Sequence, residues 1–195
     1  NALKRTANAL KECAAASIEF ESAMTGVRKT TDLTDEEFAK MSEQIQALAL
    51  RIPATTTEIA GVAEAAGQLG IAKEDILSFT ETMVNLGTAT NLSSDEAASA
   101  LAKFANVTNM AASDYDRLGS TIVDLGNNFA TTESDIVSMA TRLASAGSIV
   151  GLSQAQIVAV ATALSSVGIE AEAGGSAISK LLNQFETMVK TGSPA

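Results

Sequence analysis

Residues 151–168 read GLSQAQIVAVATALSSVG, and this stretch predicts a helix together with both of its ends. Ser153 and Gln156 have the spacing of a capping box, in which the two residues bind each other's backbone N–H groups at a helix start. Gly168 supplies the left-handed residue with which many helices end. The apolar residues between them fall on one predicted helical face: Ile157, Val160, Leu164 and Val167.

The same pattern recurs through most of the chain. Four further capping pairs are predicted: Thr34 with Glu37, Thr55 with Glu58, Ser93 with Glu96, and Thr132 with Asp135. The first apolar residue after each predicted helix start stands at 38, 59, 76, 97, 115, 136, 157 and 178. Such regular spacing is typical of stacked helical repeats, and a bundle of short capped helices produces it as well. Both interpretations predict one fold class, which is all-α, with about nine short capped amphipathic helices in a bundle or short α-solenoid and no sheet.

The pattern also predicts finer features of the chain. Gly26 is expected to interrupt a first helix over residues 1–24, and Gly174 is expected to cap the last helix. The amino-acid sequence and the net charge both change near residue 53. This change predicts two regions, a helical arm over residues 1–52 and a core helical domain over residues 53–195. In the core, the predicted apolar face of one helix includes Val107. The predicted apolar face of the last helix consists of Ile178, Leu181, Phe185 and Met188.

The charge of the chain excludes one class of partner. The formal net charge is −10, and residues 54–195 hold six Lys/Arg against fifteen Asp/Glu. Proteins that wrap duplex nucleic acid need a basic face, because the release of counterions from phosphates drives their binding. The sequence therefore predicts no specific nucleic-acid binding.

No set of residues predicts catalysis, a cofactor or a metal. The chain has no histidine, which excludes Ser-His-Asp and Cys-His machinery and imidazole metal ligands. Cys13 is alone, so an internal disulfide is impossible and a small apolar helix residue is expected. Acidic clusters fall in the first turns of predicted helices, where they complement the helix dipole: residues 35–37, 74–75 and 95–96, and Asp114 with Asp116. The sequence predicts no enzyme and no catalytic, cofactor-binding or metal-binding residue.

The glycines do not form a phosphate-binding motif. No GxxxxGK[ST] or GxGxxG pattern occurs. Most of these glycines stand where a predicted helix stops, and they are interpreted as helix ends: Gly70, Gly87, Gly126, Gly147, Gly151 and Gly168.

One uncharged run bears on membrane insertion. Residues 143–169 carry no charge and are long enough to span a bilayer. The run contains Gly147, Gly151 and its own capping box, so two short buried helices explain it better than one spanning helix.

From Pro53 onward the amino-acid sequence is similar to that of one protein family. The stretches are PATTTEIAGVAEAAGQLGI (53–71), NLSSDEAASALAKFANV (91–107), LGSTIVDLGNNFATTESDIVSMATRLASAGSIVGLS (118–153) and VGIEAEAGGSAISKLLNQF (167–185). They resemble, in order and without large gaps, the core region of phage tail tape measure proteins of the TP901-1 type, from siphophages and prophages. The most specific parts are Leu125-Gly126-Asn127, residues 130–133, and Gly151-Leu152-Ser153.

The resemblance implies a structural role without catalysis. Tape measure proteins set tail length, organise assembly of the tail tube and leave before the DNA at ejection. It implies a location in the virion tail lumen, and in the host cytoplasm during assembly. The implied partners are tail tube protein, tail tip or baseplate proteins, tail assembly chaperones and further copies of the chain. Because eight short helices are a poor ruler, this segment is expected to be a folded anchoring or initiating module.

Two rival functions follow from other features. The uncharged run at 143–169 suits a membrane-active module that contacts the host envelope only during ejection and helps genome passage. A scaffold in a tail-derived injection particle would need the same inert helical surface. Binding of the isolated chain to liposomes separates the first rival from the tape measure role, and neighbouring genes separate the second.

Overall fold

A computed structural model describes residues 2–192, with side chains described at Asn8 and over residues 11–192. Within these residues the chain forms nine α-helices and one short 3₁₀-helix, and it has no strand there, which confirms the all-α prediction. The helices are α1 (Ala2–Thr30), α2 (Asp35–Ala49), α3 (Thr56–Gln68), α4 (Ile76–Ala89), α5 (Ser94–Thr108), α6 (Tyr115–Asn128), α7 (Glu133–Ile149), α8 (Gln154–Ser166) and α9 (Ala171–Thr191). The 3₁₀-helix, Ala112–Asp114, precedes α6.

Capping boxes begin four of these helices. At the start of α2, Glu37 N–H donates to Thr34 Oγ1 at 3.2 Å, and Thr34 N–H donates to Glu37 Oε2 at 2.8 Å. The same reciprocal pair begins α3, α5 and α8, as predicted. At α7, Asp135 N–H donates to Thr132 Oγ1 at 3.2 Å, but the shorter Asp135 carboxylate accepts from the Thr132 hydroxyl instead. Each box satisfies backbone donors that a helix start leaves open.

Three of the six glycines that were interpreted as helix ends have the left-handed conformation, as predicted. Gly70, Gly151 and Gly168 have φ of 79°, 82° and 77°. In each case the following residue donates its N–H to a carbonyl five residues back, which is the Schellman arrangement: Ile71 to Ala66 at 3.1 Å, Leu152 to Gly147 at 2.9 Å, and Ile169 to Leu164 at 3.2 Å. Asn109 takes the same backbone conformation at the end of α5, with φ of 51°.

Replacing Gly168 tests this strain in isolation. A Cβ at Gly168 would meet no atom within 4 Å, so the effect of a side chain is confined to the backbone. We expect Gly168→Ala to lower the free energy of unfolding by about 1–2 kcal/mol, the cost of a left-handed L-residue. Gly168→Asn should cost less, because asparagine tolerates this region and Asn109 already occupies it. Chemical denaturation of the two variants checks the order, and equal losses would contradict it.

Three other glycines were predicted to end helices, and this was wrong. Gly87, Gly126 and Gly147 lie inside helices that continue to Ala89, Asn128 and Ile149. Each gives room to the start of the next helix: a Cβ would lie 2.7 Å from Ser94 N at Gly87, 2.7 Å from Glu133 Cγ at Gly126, and 2.8 Å from Ile157 Cγ1 at Gly147. The requirement at these positions is space, and the backbone conformation is helical.

The first two of these close approaches are built alike. Gly87 meets Ser94 and Gly126 meets Glu133, and in each junction the two residues are seven positions apart. The N-cap residues Ser93 and Thr132 precede the contacted residues, and the two junctions are 39 positions apart along the chain. The two junctions therefore share the same sequence spacing, whether by duplication or by coincident helix length.

The predicted interruption of the first helix was also wrong. Helix α1 runs through Gly26 to Thr30, and Met24 and Val27 on it are 3% and 0% exposed. Gly26 lies against the Glu64 side chain of α3, and Gly67 of α3 lies against Thr30. These glycines let α1 and α3 approach closely, so Gly26 contributes space to the packing and does not stop the helix.

The chain divides into two compact units, Asn1–Val84 and Asn85–Ala195. In the first unit α3 packs on α1 and α2. In the second unit α7 is the central helix, and it packs on α5, α6, α8 and α9. The largest fully buried side chains of the second unit are Phe104, Ile122, Ile136, Met139, Leu143 and Ile157. The predicted boundary between an arm and a core region at residues 52 and 53 stays a prediction.

The predicted buried faces of α5 and α8 need correction. Val107 and Val167 are 44% and 72% exposed, and Val160 and Leu164 are only partly buried. The buried face of α8 consists instead of Ile157, Val158, Ala161, Thr162 and Ser165. Small side chains let two helices approach closely, so the alanine and hydroxyl residues of α8 occupy the inside position.

Helix α9 differs from its prediction at both ends. It begins at Ala171 with Glu170 as N-cap, so Gly174 is not the cap. Gly174 and Gly175 are instead its buried positions, where a Cβ would meet Ile169 and Arg142. Of the apolar residues further along α9, Leu181, Phe185 and Val189 are exposed.

Candidate functional site

The acidic residues at helix starts serve the helices that they begin. A hydrogen bond from Lys73, followed by the backbone N–H of Thr34, lowers the pKa of Glu37 to about 2. Backbone hydrogen bonds from Thr55 and Ser93 lower the pKa of Glu58 and Glu96 in the same way. Carboxyls with lowered pKa stay ionised near neutral pH, which suits a helix cap and not a general acid.

Lys73 and Glu37 form an ion pair across the first unit. Their Nζ and Oε1 atoms are 2.8 Å apart, and Glu37 also closes the α2 capping box. Among the described residues no group of three or more His, Cys, Asp or Glu side chains is placed to hold a metal ion. The predicted acidic clusters are therefore spread over separate helix starts.

The lowered pKa of Glu37 predicts how stability depends on pH. The folded state binds fewer protons than the unfolded state between the folded pKa, about 2, and the ordinary value of 4.5. Stability from this group is therefore complete above pH 4.5 and is lost as the pH falls through 2.

We expect Glu37→Gln to lower the midpoint of urea unfolding at pH 7 and to reduce the difference between the midpoints at pH 7 and pH 3. Glu36→Gln, at an exposed neighbour outside the capping box, is the control. If the unfolding midpoint of Glu37→Gln depended on pH as that of the unchanged chain does, the lowered pKa of Glu37 would not contribute to stability in this way.

Each of the two units carries an open groove on its surface. In the second unit, a groove of ≈ 670 Å³ between α5, α7 and the start of α9 is lined by Lys103 and Arg142 together with Glu96, Asp135 and Glu172. Charges of both signs line it, so it does not select for an anion or a cation. In the first unit, a groove of ≈ 680 Å³ is lined by Phe20, Ala47 and Leu50 among others.

Cys13 and the uncharged run at residues 143–169 lie on different helices. Cys13 lies exposed on α1. The run at 143–169 is divided between α7, which ends at Ile149, and α8, which begins at Gln154. This confirms two short helices in the run. No helix within the part of the chain that the structure describes is long and apolar enough to cross a bilayer.

The most distinctive exposed feature lies on α9. Leu181 and Phe185 are 42% and 50% exposed, although their spacing predicted a buried face. Ile178 and Met188, at the same helical spacing, are partly buried. Sequence periodicity located this apolar stripe correctly and assigned it to the interior of one chain, because periodicity does not show what covers a face.

Comparison with known proteins identifies one family. The profile of the family described as "Phage-related minor tail protein" matches residues 36–194, which is most of the chain. No curated protein and no solved structure matches. The matched region begins inside α2 and includes all the later helices, with every capping box after the first. The chain therefore belongs to the family of phage-related minor tail proteins and is a structural component of a phage tail.

Proposed function

We propose that this chain is a segment of a tail tape measure protein, the protein that sets tail length and organises assembly of the tail tube. Its family membership supports a role in the tail. The amino-acid sequence from residue 53 onward resembles that of tape measure cores of the TP901-1 type, and this resemblance supports the assignment as a tape measure protein. The segment contributes no catalysis, and its carboxylates with lowered pKa, Glu37, Glu58 and Glu96, act in helix capping.

Within that protein, the segment acts as a folded module that anchors the tape measure or initiates assembly. The observation that carries this is that the helices are short and have defined ends: a left-handed glycine or asparagine follows α3, α5, α7 and α8, and a hydroxyl side chain caps the start of α2, α3, α5, α7 and α8. The longest helix of the core, α9, has 21 residues and rises about 30 Å at about 1.5 Å per residue. A measuring rod would instead need one continuous helix.

The partners that follow from this proposal are the tail tube protein, the tail tip or baseplate proteins and the tail assembly chaperones. The protein would occupy the tail lumen in the virion and the host cytoplasm during assembly. A chain with a net charge of −10 has little affinity for the DNA that later passes through that lumen. This charge suits a component that leaves before the genome.

Release at ejection tests the proposal. We expect the chain to be present in intact virions and strongly depleted from emptied virions after receptor-triggered DNA ejection. Quantitative mass spectrometry, normalised to the tail tube protein, measures the ratio in both samples. A tail tip protein that remains attached is the control. An equal ratio before and after ejection would mean that the chain is a fixed part of the tail wall or tip.

A further inference from the structure

Helices α5 and α7 lie side by side in the second unit and run in the same direction. Ser134 N–H, at the start of α7, donates to Asn91 Oδ1, just before α5, at 3.2 Å. At the other end, Gln154 Nε2, shortly after α7, donates to the carbonyl oxygen of Thr108, the last residue of α5, at 3.0 Å. The two helices therefore begin together and end together. The groove of ≈ 670 Å³ that lies between them and the start of α9 is called the α5–α7 groove below.

The two helices place matching charges along the α5–α7 groove. Each helix lines it with one carboxylate and one cation: Glu96 and Lys103 on α5, and Asp135 and Arg142 on α7. The two carboxylates stand 39 positions apart in the sequence, and so do the two cations. On each helix the carboxylate precedes the cation by seven residues, a rise of about 10 Å. The groove therefore has two carboxylates towards the helix starts and two cations about 10 Å further along.

These four side chains are accessible to a partner, since all four residues are exposed. Within the part of the chain that the structure describes, no ion pair involves Lys103 or Arg142. The carboxylates are held in place by their helix caps: Glu96 accepts from Ser93 N–H at 2.9 Å, and Asp135 accepts from the Thr132 hydroxyl at 2.7 Å. The groove therefore presents fixed carboxylates and unpaired cations to the solvent.

The balance of charge excludes polyanions from this groove. Glu170 and Glu172 at the start of α9 also line it, so its carboxylates outnumber its cations. Nucleic acid binds to surfaces on which cations neutralise its phosphates, and an anionic lipid surface attracts Lys and Arg side chains in the same way. The α5–α7 groove instead fits a ligand that carries charges of both signs at a fixed distance.

We propose that the α5–α7 groove binds an α-helix of a partner protein that presents a Lys or Arg side chain and, two turns away, an Asp or Glu side chain. Two residues seven positions apart share one face of a helix and lie about 10 Å apart, which matches the groove. In an extended strand, residues three positions apart span about 10 Å but point to opposite faces. The small side chains of Ser99, Ala100 and Ser138 line the groove and let a helix approach closely. The inference rests on the fold of the second unit and does not require the tape measure assignment.

Two synthetic alanine-based helical peptides of identical composition test the proposal on the 195-residue chain. The probe peptide carries a lysine and a glutamate seven positions apart, and the control peptide carries them four positions apart, where they span about 6 Å and pair with each other. NMR titration of the isotope-labelled chain gives the affinity and the location of binding. We expect the probe to shift backbone amides along α5 and α7, including those of Ser99 and Ser138, and the control to bind at least about tenfold more weakly.

Two charge reversals in the chain separate the groove from the net charge. Lys103→Glu puts a carboxylate in place of a groove cation and should weaken binding of the probe at least about tenfold, because like charges across an interface repel. Lys180→Glu changes the net charge equally at an exposed position of α9 outside the groove lining, and it should leave binding unchanged. Circular dichroism shows whether each variant keeps its helices. If Lys103→Glu loses helix, Lys103→Gln replaces it, and a smaller loss of affinity is then expected.

Each other result overturns the proposal. An absence of amide shifts at millimolar probe peptide would mean that the groove does not bind a helix of this kind. Equal affinities for the two peptides would mean that the groove does not recognise the spacing of the charges. Equal losses in Lys103→Glu and Lys180→Glu would mean that net charge controls binding, and shifts confined to another surface of the chain would place the binding site there.

Discussion

Replacing Phe104 by alanine is expected to lower the free energy of unfolding of the second unit by about 3–5 kcal/mol. Phe104 on α5 is 1% exposed and is one of the largest fully buried side chains. The chain has six phenylalanines and no tryptophan, and much of its core is alanine. A core with so many alanines has few large side chains that could move into the space of a lost ring, so a cavity remains.

Phe129→Ala is the matched control for this prediction. Phe129 is 53% exposed after the end of α6, so its loss should change stability by no more than about 0.5 kcal/mol. Guanidinium unfolding of both variants, followed by circular dichroism, gives the comparison. Equal losses, or a loss below about 1 kcal/mol at Phe104, would mean that α5 does not carry the core in this way.

The second large effect is expected for Gly67 in α3. Alanine at Gly67 should destabilise the chain, whereas alanine at Gly61 in the same helix should stabilise it. A Cβ at Gly67 would lie 2.8 Å from the backbone oxygen of Thr30. Backbone atoms cannot rotate away, so α1 and α3 would have to separate. We expect Gly67→Ala to destabilise the first unit by about 1–3 kcal/mol, as overpacking does.

Gly61 provides the comparison within α3. A Cβ there would meet no atom within 4 Å, so Gly61→Ala should stabilise the helix by about 0.5–1 kcal/mol. The two variants have the same chemical change, and only the packing differs. Thermal unfolding of both decides the matter. Stabilisation by both substitutions would show that α1 does not approach α3 at Gly67.

The helix starts could be predicted from sequence because their signals are local. Thr34 and Glu37, or Ser153 and Gln156, satisfy each other within one turn, so no knowledge of the rest of the fold is needed. The Asp135 carboxylate reached the Thr132 hydroxyl only, which its shorter side chain explains.

The glycines could be predicted only in part, because one residue type has two roles. The glycines that end helices in Schellman motifs are each followed by an apolar residue: Ile71, Leu152 and Ile169. Gly87, Gly126 and Gly147 are followed by polar residues and stay helical. The apolar residue after a left-handed glycine packs back on the helix. This signal was present in the sequence and distinguishes the two roles.

The buried faces could not be assigned from large apolar residues alone. In α8 the inside positions include Ala161, Thr162 and Ser165, while Val167 is exposed. The reason is that α8 lies close to α7, where small side chains fit. For α9, periodicity identified the apolar face, but only the structure shows that Leu181 and Phe185 on this face are exposed.

The central claim is that this segment is a folded module within a protein that sets tail length, and tail length measures it directly. Removing residues 87–125 in frame joins Leu86 to Gly126 and leaves one of the two junctions that are 39 positions apart. Electron microscopy of the tails that form gives the length distribution. We predict tails of unchanged length, because a folded module adds nothing to the ruler. A uniform shortening by about 60 Å, the rise of the removed residues as one helix, would show that the segment lies extended and measures.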